Sequence, residues 1–216
     1  MKKTHKKTIV RGGNLNSGFE SSNNLNTVDL ICDKFTNTTQ LKFLFIRNGD
    51  TKHQELIARL VGKSSTTNFK LPVFTNKSDI ILYCILNGVI IGYIKGKNKK
   101  ISEYSNNKNN NVNSNNNANA LGHYIIKVEI SQNCRGRNIC YRMLMRYIKF
   151  IIENYKKVSQ FNLINTGGIP SCRCYIKAFA NNNFIGYDFS GTELSKDIKC
   201  TDANSLDFMF FKKALS

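Results

Sequence analysis

A chain of 216 residues, 41% of them apolar, is long enough to enclose one sizeable core. Its longest apolar run, Ile80–Ile94, is too short for a helical membrane span, which needs about 20 apolar residues, and a mean hydropathy of −0.35 agrees. With 32 Lys and Arg against 14 Asp and Glu the net charge is +18, a field that draws nucleic acid, phosphates or acidic surfaces and says nothing about fold.

Asparagine is the compositional outlier, crowded between Ser105 and Asn119. We read it as bias in the coding sequence and assign it no function; the lysine excess has the same bland explanation beside the polyanion one. Seven cysteines are present, with no Cys-x-x-Cys pair and only three histidines to join them. A metal site is therefore not expected. Several cysteines lie in apolar runs, where a free thiol behaves as a small hydrophobe. That pattern, with no apolar leader in Met1–Gly13, points to a reducing, intracellular compartment, cytoplasmic or nuclear.

Taken in order, residues 1–26 read as a basic, disordered tail and 27–216 as one domain. Val28–Phe35 and Leu41–Ile46 are short apolar stretches. His53–Val61 places Leu56, Ile57, Leu60 and Val61 on one helix face, with Asp50 or Thr51 as cap. Ile80–Ile94 reads as a hairpin about Asn87-Gly88, a pair suited to a type I′ turn, and its unbroken apolar pattern predicts cover on both faces. Residues 97–119 form a low-complexity Lys/Asn insertion, in a linker that reads as Lys95–Ala120. His123–Ile130 is a β-branched strand, followed by a polar turn. A long helix then carries an apolar stripe at Cys140, Met143, Leu144, Tyr147, Ile148, Ile151, Ile152 and Tyr155. Phe161–Asn165, Ser171–Asn181 after Pro170, Ile185–Phe189 and Leu206–Lys212 complete the order βαββ, insertion, βαβαββ. Such alternation predicts an α/β (α+β) fold with a mixed sheet flanked by helices.

The turn between the fourth strand and the long helix reads Cys134-Arg-Gly-Arg-Asn-Ile-Cys140. A helix N-terminus presents unpaired N–H groups and a partial positive charge, and Arg135 and Arg137 add donors suited to phosphate. Such a turn suits a pyrophosphate. Cys134 and Cys140 at a helix N-terminus also raise a nucleophile reading, against which no histidine is near in sequence.

The stretch Ile130–Ile151 resembles the acetyl-CoA-binding motif of the GCN5-related N-acetyltransferases: a strand, then Arg/Gln-x-x-Gly-x-Gly/Ala, then a helix. Arg135 stands at the first position, Asn138 at the first glycine and Cys140 at the second Gly/Ala. Asn tolerates positive φ, so Asn138 can keep the backbone path, whereas Cys140 is larger than Ala. Three further segments are similar to the family: the hairpin Asn87–Ile94, the helix and Tyr-x-x-x-Gly-Phe ending over Ser171–Phe189, and the last strand over Asp207–Leu215. The resemblance implies a mostly antiparallel central sheet, acetyl-CoA in a gap between its fourth and fifth strands, and direct attack on the thioester by an amine acceptor, a small molecule or a protein. It implies cofactor contacts from Val128, Ile130, Arg135, Gly136, Arg137, Asn138, Ile139 and Cys140. It leaves Glu129, Tyr124 and His123 as candidate bases. The tyrosine that protonates the leaving thiolate is replaced by Phe179, so Tyr175, one turn earlier, becomes the candidate acid. Glu129 has the alternative of pairing with Arg135 or Lys127, and Tyr175 that of core packing. The alternative function is a catalytically degenerate version of the fold, or a basic nucleic-acid-associated protein; no membrane association is expected.

Overall fold

Asn87 and Gly88 turn the chain with φ values of 50° and 80°, left-handed at both central positions as a type I′ turn requires. They join β2, Asp79–Leu86, to β3, Val89–Lys100. These coordinates are a computed structural model, which describes Cys32 and residues 41–63, 70–101, 121–165, 167–188, 190–194, 200 and 206–213. The expected tail at 1–26, the stretch 28–35 apart from Cys32, and 102–119 of the insertion lie outside them. β1, Lys42–Arg47, runs antiparallel to β2. Every residue of β2 is buried, because its two faces meet two different cores. On one face Ile46, Ile81, Tyr83, Ile85, Ile90 and Tyr93 meet Ile57 and Leu60 of α1, Thr51–Lys63, together with Leu71 and Phe74. The other face packs against α2, Ile139–Asn154, and α3, Gly168–Ala180.

The remaining strands are β4 (Leu121–Ile130), β5 (Val158–Asn165), β6 (Phe184–Tyr187) and β7 (Leu206–Lys212). They complete a seven-stranded sheet in the order β1-β2-β3-β4-β5-β7-β6. Neighbours are antiparallel except β4 and β5, which are parallel and joined through α2. The fold class and the element order are those expected from the pattern. One boundary differs: residues 97–100, read as the start of the insertion, extend β3 and pair with Leu121–Tyr124. Pairing with a neighbouring strand overrides the poor strand propensity of Lys and Asn here.

α2 buries Ile139, Met143, Leu144, Tyr147, Ile148 and Ile151. The expected stripe is present, with Cys140, Ile152 and Tyr155 at its half-buried edges. At the start of β2 the wholly buried Asp79 pairs with Lys95 at 3.0 Å and accepts from the Thr75 and Asn76 amides at 2.7 and 3.1 Å. Burial alone raises the Asp79 pKa, but bonds from Thr75, Lys95 and Asn76 outweigh it and hold the carboxyl below its ordinary value.

Candidate active site

The site begins where β4 loses a partner. β4 and β5 pair from Leu121 with Val158 to Ile125 with Leu163, and no further. Beyond Ile125 the β5-side edge of β4, residues 126–130, has no ladder partner among the described residues. On its other side β4 stays bonded to β3 up to Ile130 with Gly92. The split coincides with a bulge: Lys95 pairs with Lys127 and Gly96 with Ile125, leaving Ile126 over. The bulge also reverses the alternation of β4. His123 and Ile125 face the α2 side before it and Val128 and Ile130 after it, so Tyr124, Lys127 and Glu129 share the α1 side.

Both helices flanking the split start at its mouth. α2 opens after a single 3-10 turn, Gln132–Cys134, with Gly136 at φ 76° and Asn138 at φ 59°. Asn138 thus takes the left-handed conformation that the motif glycine would take, as its tolerance of positive φ suggested. No side chain caps α2 and no acidic residue lies in its first turn, so its first N–H groups keep their donor capacity. The exposed Arg135 donates from Nε to the Ile130 carbonyl at 3.3 Å, tying the turn to the end of β4. α3 also starts without a side-chain cap or first-turn acid. Asn165, buried at the end of β5, holds that start: its Nδ2 donates to the Gly168 carbonyl at 3.2 Å and its Oδ1 accepts from the Gly167 amide at 3.4 Å. Two uncapped N-termini, positive-φ turn residues and arginines fit an extended cofactor carrying a diphosphate.

Of the candidate acid–base residues, Glu129 and Tyr124 share the α1 side. Glu129 Oε2 accepts from Tyr93 Oη and from Lys127 Nζ, each at 2.7 Å. The pairing with Lys127 is therefore realised, and Arg135 goes elsewhere. Burial and the Glu129 carboxylate push the Tyr93 hydroxyl far above its ordinary pKa, so it stays a donor. Burial, then the Asp207 carboxylate, raise that of Tyr124.

Tyr175 lies on α3, within the core on the opposite side of the sheet. Burial pushes its hydroxyl up to about 12, which keeps it protonated. Phe179, at the position of the missing tyrosine, is fully buried and stacks on Phe210 at 3.9 Å between ring centroids. Asn183 has φ 63° where the family's ending has glycine, which supports that register.

His123 requires a correction. Read as a candidate base at the start of its strand, it is wholly buried on the α2 side. Its Nδ1 lies 2.6 Å from Asn98 Oδ1 and its Nε2 2.9 Å from Tyr147 Oη. Burial lowers its pKa to about 3, so it is a neutral core group. Gly96 makes the space, since a Cβ there would fall within 2.5 Å of both His123 Nε2 and Tyr147 Oη. Sequence reasoning missed Tyr93 as the partner of Glu129, because it belongs to another strand and reads as core.

The cysteines also differ from expectation. Cys32 bonds to Cys134, Cys140 to Cys174 and Cys172 to Cys200, leaving Cys84 as the free, buried thiol. Cα separations of 5.2, 6.5 and 6.1 Å lie in the range a disulfide spans. The free-thiol reading is thereby corrected for six residues, and cysteine usage no longer argues for a reducing compartment. The nucleophile reading of Cys134 and Cys140 goes with it. Cys140 directs its sulfur into the seam between α2 and α3. Among the described residues no cluster of three metal-ligating side chains occurs, and no helix is long and apolar enough to cross a membrane.

No protein-family model and no curated protein sequence matches the chain. Solved structures are similar to it. Tetrahymena GCN5 is 11% identical, covering 81% of this chain and 98% of its own, at a TM-score of 0.42. Diaminobutyrate acetyltransferase EctA from Paenibacillus lautus, solved with its substrate and coenzyme A, is 10% identical, covering 80% and 96% at 0.41. The aminoglycoside acetyltransferase meta-AAC0020 from an uncultured soil metagenomic sample, with sisomicin, is 15% identical, covering 66% and 86% at 0.38. At these identities and scores no acceptor or activity transfers to this chain. Its own topology is decisive for the fold: one parallel pair in an otherwise antiparallel sheet, split at its far end and flanked by the starts of two helices. The chain has the acyl-CoA N-acyltransferase fold that the resemblance to the GCN5-related N-acetyltransferases implied.

Proposed function

We propose that this chain is an N-acyltransferase that takes an acetyl group from acetyl-CoA and delivers it to an amine. The observation that carries this reading is the unpaired β4 edge opening beside two uncapped helix N-termini. Val128 and the Ile130 amide offer backbone groups to a pantetheine arm. Arg135, Gly136, Arg137, Asn138, Ile139 and Cys140 form the turn and first helical residues that face a diphosphate. Acetyl-CoA, when bound, supplies the activated acyl group as a thioester. Glu129 then takes the amine proton, directly or through a water, with Tyr93 and Lys127 fixing its carboxylate. Tyr124 is the second candidate for that step, on the same side of the sheet. Tyr175 returns a proton to the leaving thiolate from the α3 side.

Thermal unfolding with and without acetyl-CoA or CoA tests the reading. Ligand at about 100 times its dissociation constant adds roughly 2.7 kcal/mol, and Arg135→Ala should weaken that binding by about tenfold. No shift at millimolar cofactor overturns it.

Phe179 favours a second reading, in which acetyl-CoA is bound but not turned over. Cofactor binding without acyl transfer across a panel of amines decides for that one. The net charge of +18 supports nucleic-acid association, which steep loss of binding with rising salt would reveal.

A further inference from the structure

The acyltransferase reading leaves one cavity unexplained. It has a volume of about 460 Å³ and is lined by Leu41, Phe43, Tyr141, Arg142, Met145 and Arg146. It lies between the start of β1 and the first turns of α2. Two kinds of surface meet in it. Arg142 and Arg146 stand four residues apart on α2, so their guanidinium groups share one helix face. Phe43 and Tyr141 supply rings, and Leu41 and Met145 further apolar surface. Among the described residues no acidic side chain lines it.

The walls are held from α3. Asn181 Nδ2 donates to Tyr141 Oη at 2.6 Å, and Lys177 Nζ lies 5.0 Å from the centre of the Tyr141 ring. Asn182 Nδ2 donates to Met145 Sδ at 3.2 Å. A cavity of this size, with rings and paired guanidinium groups, suits a phosphorylated nucleoside.

Its position relative to the diphosphate turn gives it a purpose. The Arg142 amide donates to the Asn138 carbonyl at 3.2 Å, so the cavity begins one helical turn beyond the turn itself. In the sheet order the turn, at the end of β4, stands between the cavity beside β1 and the split beside β5. Coenzyme A has the same order: its diphosphate joins pantetheine on one side to 3′-phosphoadenosine on the other. A pantetheine arm in the split therefore sends the adenosine end toward the cavity. We propose that Arg142 and Arg146 bind the 3′-phosphate of coenzyme A and make the protein select it over 3′-dephospho-CoA. This rests on the acyl-CoA reading.

Calorimetric titration of the full chain with CoA, 3′-dephospho-CoA and adenosine 3′,5′-bisphosphate tests it. The wild type should bind CoA roughly tenfold or more tightly than 3′-dephospho-CoA, the usual worth of a charge-assisted phosphate contact. In Arg146→Ala, at an exposed position, that preference should fall to about twofold while 3′-dephospho-CoA affinity is kept. Arg142→Ala should act in the same direction. Equal wild-type affinity for the two cofactors overturns the cavity assignment and leaves the acyl-CoA reading standing. Arg146-dependent binding of the bisphosphate without CoA binding sustains the cavity and removes the acyl-CoA reading. No binding of any probe removes both.

Discussion

Glu129 and His123 sit six residues apart on one strand and have opposite fates, because the bulge at Ile126 turns one to each face. Glu129 keeps some exposure and two donors on one oxygen. Glu129→Gln keeps the shape and removes the base, so kcat should fall by about 10²–10⁴-fold with KM for acetyl-CoA little changed. An unchanged kcat, measured with an amine found by screening, would shift the role to Tyr124. His123 is a stability residue. An unfolded histidine takes up a proton near pH 6.5, whereas the buried one resists until about 3. The unfolded state therefore binds more protons as pH falls through that window, and stability drops on acidification by up to about 1.4 kcal/mol per pH unit. Urea midpoints between pH 6.5 and 5, above the range of most carboxylates, should show this slope, and His123→Asn should lack it. Glu129 was legible as a polar residue on a candidate strand. The burial of His123 was not, since Asn98 and Tyr147, which satisfy it, lie 25 and 24 positions away.

At the scale of elements, three asparagines substitute for glycine. Asn87, Asn138 and Asn183 have φ of 50°, 59° and 63° at a hairpin, at the start of α2 and after α3. The asparagine excess, assigned no function from composition, thus supplies three of the backbone positions on which the fold depends. Asn138→Gly should keep both stability and cofactor affinity. Asn138→Val should cost about 1–2 kcal/mol through the left-handed clash of a β-branched residue and weaken cofactor binding with it; denaturation and titration of both variants separate the outcomes. The hairpin and the amphipathic α2 were legible because turn chemistry and periodicity are local. The bulge was not, because Ile125 and Ile126 look alike in sequence and only the register against β3 singles one out.

Across the whole molecule, the disulfides tie together what the split separates. Cys140–Cys174 links α2 to α3, and Cys32–Cys134 fastens a residue 102 positions away to the turn that precedes α2. Each such link contributes about 2–4 kcal/mol in the chain-entropy account. Reduction with dithiothreitol should therefore lower Tm by at least ~5 °C, and an unchanged Tm would mean that the thiols were free in solution. Cysteine positions alone could not reveal this pairing, since connectivity depends on which helices become neighbours. The ladder between β3 and β4 has a different consequence. It closes with Lys100 opposite Leu121, so the chain leaves the sheet and returns to it at adjacent points. Closing a segment of this length rather than a tight turn costs only about 2 kcal/mol, because loop-closure entropy grows with the logarithm of length. Register is fixed by the strands on either side, so residues 102–120 can lengthen, shorten or change composition over generations without disturbing the parallel pair, which makes this the place where the gene is free to drift.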